Sequence, residues 1–170
     1  MKSADPAHVI TAARSWLGTP YHDQASLRGV GCDCLGLARG VWREVVGDEP
    51  FPIPPYSRDW GETGPREVLA EGARQMMPEI MPPDAGPGTL VLFRMAPRAI
   101  AKHVGILTAH DRFVHAYERL GVVEEILTPV WRRRIVFAFL FPKDCDLTHG
   151  NPCSRRRRLR DWRRIWRCHP

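Results

Sequence analysis

An α+β domain built on an antiparallel sheet is the fold class this sequence predicts. Three observations carry it. Apolar residues recur at helical spacing in segments before residue 78, segments rich in β-branched and aromatic residues follow residue 88, and the two kinds do not alternate as a doubly wound parallel sheet requires. A chain of 170 residues fits one domain and can hide roughly 70% of its unfolded surface, so it needs neither metal nor disulfides to fold. Its 44% hydrophobic and 26% charged residues exclude wholesale disorder. The longest apolar run, Ile135 to Phe141, is far short of the about 20 residues of a membrane-spanning helix. There is no internal repeat.

In chain order, Pro6 to Leu17 predicts a first helix: Val9, Ile10, Ala13, Trp16 and Leu17 share a face, Asp5 can cap it and Gly18 stops it. Thr19 to Gly31 is turn-rich. A second helix starts abruptly at Asp33-Cys34, with Cys34, Leu37, Ala38, Val41, Trp42 and Val45 as its apolar stripe and Gly47 as its close. Phe51 to Trp60 is too rich in proline for long regular structure. Pro65 to Met77 suits a third helix with proline in its first turn, and Pro78 to Pro87 is another broken connection. Strands are then expected at Thr89–Arg94, His103–Ala109, Arg112–Glu118, Val122–Leu127 and Arg134–Phe141. The pattern fades after Pro142, so residues 1–150 are expected to form the folded domain and 151–170 a tail.

The formal charge of +6 suggests a nucleic-acid binder until it is located. Residues 154–170 hold eight arginines against Asp161, a net of +7; the remaining 17 basic and 18 acidic residues leave 1–153 at −1. A neutral body argues against nucleic acid as its ligand. If helical, the tail places Leu159, Trp162, Ile165 and Trp166 near one face, which suits an anionic surface. The first eight residues lack an apolar signal-peptide core, so export by that route is not expected. Five cysteines, an odd number, make a poor disulfide framework and point to reduced thiols.

Asp33 is a good N-cap, which puts Cys34 in the first helical turn beside free backbone amides and the positive end of the dipole. A thiol there can fall to about 3.5–7.5, and the same amides can receive an oxyanion. The bland alternative is a small hydrophobe topping an apolar stripe. Cys32 is the rival nucleophile but precedes the cap. His103 and His115 lie twelve residues apart, and a loop of Thr108-Ala109-His110 would set them directly opposite across a hairpin, one as base and the other orienting it. Neither Cys32 and Cys34 with a histidine nor Cys145, His149 and Cys153 has the spacing of a structural zinc site. No metal and no cofactor is expected.

Gly18-Thr19-Pro20-Tyr21, Gly31-Cys32-Asp33-Cys34-Leu35-Gly36-Leu37, Pro87-Gly88-Thr89-Leu90-Val91-Leu92-Phe93, Lys102-His103-Val104-Gly105-Ile106 and Phe113-Val114-His115-Ala116 together resemble the NlpC/P60 cysteine peptidases, in order and spacing, from about residue 6 to 141. The Gly-Thr-Pro-Tyr turn and the Cys-Leu-Gly-Leu continuation look most like the phage-tail and gene-transfer-agent subgroup. The resemblance implies a papain-like α+β fold, with helices packed on an antiparallel sheet. It also implies hydrolysis of peptidoglycan stem peptides between D-γ-glutamyl and a diamino acid. Carried onto this sequence, Cys34 becomes the nucleophile, His103 the base, His115 its orienting partner, and Tyr21 and Asp33 the oxyanion and substrate side. Leu35 replaces the usual serine and Thr89 the usual aspartate. Implied too are synthesis in a bacterial cytoplasm, association with a phage-like tail and its tail proteins, and action on the cell wall. The alternative from another class is a tail module that keeps this fold without activity.

Overall fold

The computed structural model describes residues 3–50, 52–56 and 66–143. The expected boundary at 150/151, the set Cys145, His149 and Cys153, and the basic segment 154–170 lie outside the described residues. So does Pro65.

Helix α1 spans Pro6–Arg14, with the Asp5 carboxylate accepting from the Ala7 amide at 3.0 Å. It stops before Leu17, where the apolar pattern would have carried it. The Ser15 hydroxyl bonds back to the Ala12 carbonyl, Trp16 and Leu17 close tighter turns, and Gly18 turns left-handed at φ 80°. A minute ladder, β1 (Ser26–Leu27) with β2 (Gly31–Cys32), leads into α2 (Cys34–Val45), which Gly47 ends as expected at φ 114°. Helix α3 covers only Val68–Arg74. Its N-cap residue, Glu67, provides no cap, because its carboxylate accepts from Ala101 N at 2.7 Å and from Arg94 at 2.5 Å instead.

The sheet contains β3 (Glu79–Ile80), β4 (Thr89–Phe93), β5 (His103–Ala109), β6 (Arg112–Tyr117), β7 (Gly121–Ile126) and β8 (Ile135–Leu140) in the order β3-β8-β4-β5-β6-β7, every pairing antiparallel. All five expected strands are present. Besides β1, β2 and a 3-10 turn at Pro82–Asp84, two more elements were not expected. Strand β3 pairs at the far edge with β8, and α4 (Pro129–Arg134) starts on Thr128, whose hydroxyl accepts from Trp131 N.

Both faces of the sheet are covered, which explains why β4 is buried at all five residues. On one face, Val9, Ala13 and Trp16 of the α1 segment and Leu37, Val41 and Trp42 of α2 pack on Leu90, Leu92, Val104, Ile106, Val114 and Phe139. A Cβ on Gly40 would lie 1.9 Å from the Trp16 ring, so this glycine lets the two helical segments meet over the indole. Removing a tryptophan so buried costs about 3–5 kcal/mol. On the other face, Val91, Phe93, Leu107, Phe113, Leu127 and Ala138 close under Trp131. Among the described residues no helix is long and apolar enough to cross a membrane.

Candidate active site

Asp33 organises the start of α2. Its carboxylate, nearly inaccessible, accepts from Gly36 N at 2.6 Å, Gln24 N at 2.7 Å and the Tyr56 hydroxyl at 2.6 Å. The first bond is the helix cap; the other two pin the 22–26 loop and the 52–56 segment over it. A Cβ on Gly36 would come 1.8 Å from the Ala25 carbonyl oxygen, so a glycine third in the helix is what allows that loop to lie so close. Gln24 itself takes up a left-handed φ of 62° to present its amide.

The cap leaves Cys34 as the first helical residue, half-buried at the surface but with its sulfur closed in by protein. The backbone amides of Cys34, Leu35 and Val104 favour its thiolate, while burial, first, and Asp33, second, oppose it and push the thiol up to about 12. The expected depression of this thiol is therefore reversed in the substrate-free site, because burial outweighs the helix end. The S–H group donates to the Lys102 carbonyl at 3.8 Å. Cys32 is wholly buried in the helix-side core, where burial also pushes its thiol up to about 12.

The two histidines share a sheet face but are not directly opposite. The turn is His110-Asp111, with Ala109 opposite Arg112, and the register shifts between Ala109 and Leu107, which faces Phe113. Continued along the strands, this sets His103 opposite Tyr117 and His115 opposite Gly105, which makes the histidines diagonal neighbours. Their rings still meet, with His103 Nε2 2.7 Å from His115 Nδ1. Both lie on the Trp131 side of the sheet, among Phe93 and Phe113, whereas Cys34 approaches the start of β5 from the helix side. Burial lowers His115 to about 4; burial and then its histidine neighbour lower His103 to about 3.

A pH dependence of stability follows. Unfolded, each imidazole protonates near about 6.5, whereas the native site resists protonation until about 4 and about 3. The unfolded chain therefore binds more protons in between. The contribution is complete above about 6.5 and is lost as pH falls from there toward 4 and 3. Melting temperatures between pH 7 and 4 should fall more steeply for wild type than for a His103→Gln/His115→Gln variant; equal slopes would contradict this.

Cys34 sits between two cavities. One, of about 390 Å³, is lined by Tyr21, Cys34, His103, Tyr117, Glu118 and Arg119. The other, of about 310 Å³, adds Asp23, Gln24, Tyr56 and Lys102 to the shared Tyr21, Cys34 and Glu118. Of the residues singled out in the sequence, Cys34, His103 and Tyr21 thus share one cavity, His115 stands behind His103, and Asp33 stands behind the helix start, lining the second cavity. The Tyr21 phenol bonds the Asp23 carboxylate and is held protonated, chiefly by burial. Tyr56, Arg119 and Glu125 were missed. Tyr56 lies in the proline-rich stretch and Arg119 in a hairpin tip with a left-handed φ of 74°. Alternation along β7, which puts Glu125 opposite Phe113, was the available signal for the third.

A thiol at a helix start, an imidazole in the same cavity, and amides around the sulfur can together perform nucleophilic acyl transfer. Comparison with known proteins identifies the family. The model of the NlpC/P60 family matches residues 18–139. Murein DD-endopeptidase MepS/Murein LD-carboxypeptidase of Escherichia coli (strain K12) is 28% identical over 129 residues, 75% of this chain and 58% of that protein, so the chain spans under two thirds of this relative's length. The crystal structure of the NlpC/p60 domain of peptidoglycan hydrolase SagA superposes with a TM-score of 0.56 at 24% identity, covering 79% of this chain and 97% of the domain. An NlpC/P60 family protein from Bacillus cereus gives 0.56 at 19% identity, covering 80% and 40%. At such identities these structures establish the fold.

Proposed function

The chain belongs to the NlpC/P60 family and has its papain-like α+β fold, and from this premise we propose that it is a cysteine peptidase of peptidoglycan stem peptides. The observation that carries the reading is Cys34, at the capped start of α2, sharing a cavity with His103, whose Nε2 is bonded to a buried histidine. The kinship with murein endopeptidases supports the substrate class.

In this reading a substrate amide lies across Cys34 with its two flanks in the two cavities. His103 takes the S–H proton as the sulfur attacks the carbonyl, so no standing thiolate is required and a thiol raised by burial is compatible with catalysis. The oxyanion forms beside the amides that surround the sulfur. His103 then returns the proton to the departing amine, the acyl group stays on sulfur as a thioester, and water activated by His103 releases it. His115 orients the base. Tyr21 and Asp33 serve on the oxyanion and substrate side, Asp33 by holding the helix end in place.

The finer assignments rest on the sequence alone. These are cleavage between D-γ-glutamyl and a diamino acid, membership of the phage-tail and gene-transfer-agent subgroup, tail proteins as partners, delivery to the wall by a particle, a domain boundary at 150/151, and an anionic ligand for 154–170. Purified protein incubated with peptidoglycan should release fragments whose masses place the cut after the D-γ-glutamyl residue. Intact stem peptides after prolonged incubation, with Cys34 still alkylatable, would refute the activity; cuts elsewhere would refute the bond.

A further inference from the structure

The far side of the histidine pair holds an unmet group. His115 is wholly buried, and its Nε2 has no hydrogen-bond partner among the described residues. The Glu125 carboxylate reaches toward it, with Oε2 3.7 Å away. Glu125 lies on β7 opposite Phe113, while His115 is opposite Val123, so carboxylate and imidazole are diagonal neighbours on one sheet face. The same carboxylate oxygen is anchored by Trp131, whose indole N–H donates to it at 3.1 Å, and the Trp131 ring packs 5.4 Å from that of His115.

Resting on His103 as the base, we propose that Glu125 is a positioning residue that sets the tautomers of both histidines and so leaves His103 Nδ1 bare for the Cys34 proton. Two neutral arrangements can satisfy the 2.7 Å contact between His103 Nε2 and His115 Nδ1. In one, His115 carries its proton on Nε2, facing Glu125, so its Nδ1 accepts from His103 Nε2–H and His103 Nδ1 holds a lone pair. In the other, His115 carries its proton on Nδ1, donates it to His103 Nε2, and leaves His103 protonated at Nδ1, unable to accept from a thiol. The second also turns a lone pair of His115 Nε2 toward a carboxylate, which is repulsive in a buried site. Glu125 thereby selects the first. When Cys34 gives its proton to His103 Nδ1, positive charge develops along the pair. The Glu125 contact then closes from its resting length, as such contacts do under load. No second proton moves.

The test uses the full chain labelled with 15N-histidine. Imidazole nitrogen shifts at neutral pH should show His115 and His103 each protonated at Nε2; a proton on Nδ1 of His115 would overturn the proposal in the wild-type protein itself. In parallel, Glu125→Leu should slow alkylation of Cys34 by iodoacetamide on the order of a hundredfold, the low end of a general base's contribution. Glu125→Gln, whose amide oxygen still accepts from Nε2–H, should stay near the wild-type rate. A Leu variant as fast as wild type, or a Gln variant as slow as Leu, would each overturn it. Neither readout involves peptidoglycan, so failure of the proposed substrate would leave these results standing, and the reverse.

Discussion

Cys34→Ala is expected to abolish stem-peptide cleavage and leave the fold intact, while Cys32→Ala keeps most of the activity. Loss of a covalent nucleophile in a hydrolase of this kind costs on the order of a millionfold in turnover. The structural cost is small, because alanine suits the first turn of a helix, Asp33 and not Cys34 supplies the cap, and the one S–H bond is long at 3.8 Å. Cys32 differs in kind. It lies wholly buried in β2, packed in the core, and trimming its sulfur should cost about 1 kcal/mol, the scale of one small buried group. Fragment release by mass spectrometry, with thiol labelling of each variant, measures both. If Cys32→Ala were inactive while Cys34 remained alkylatable, the nucleophile would be misassigned.

Why Cys34 was legible and its acidity was not is a matter of range. The N-cap, the apolar stripe and the glycine close are local patterns, and α2 begins and ends where they say. Burial of the sulfur under Lys102 and Val104 comes from the entry into β5, some seventy residues on, and it reverses the sign of the thiol's shift. The histidines divide the same way. Their even spacing correctly puts them on one face, because strand alternation is local. Their pairing depends on a two-residue turn and an irregularity before Ala109, which no composition announces. Short elements between prolines hid β3 and α4, although Thr128-Pro129 is itself a helix-start signal. Glu125 and Tyr56 act through contacts made only when distant segments meet.

His103→Ala should reduce turnover on the order of 10²–10⁴-fold or more, with substrate affinity little changed, and His115 variants should be impaired less. In the resting site the thiol is held protonated and His103 unprotonated, so the proposed mechanism depends on proton transfer at the moment of attack. Without His103 the sulfur meets the amide as a thiol, and the departing amine finds no acid. His115 touches neither reacting atom. It is bonded to His103 once, at 2.7 Å, from a wholly buried position. Truncating it to alanine would also open a hole beside Phe113 and Trp131, which pack against its ring at 4.6 and 5.4 Å. His115→Gln is therefore the cleaner probe, because it retains an acceptor within reach of His103 and much of the volume. The expected order of turnover is wild type, then His115→Gln, then His103→Ala, with melting temperatures recorded beside each. Two substitutions with equal and negligible effects on a folded enzyme would remove the imidazole pair from the mechanism and leave Cys34 without its base.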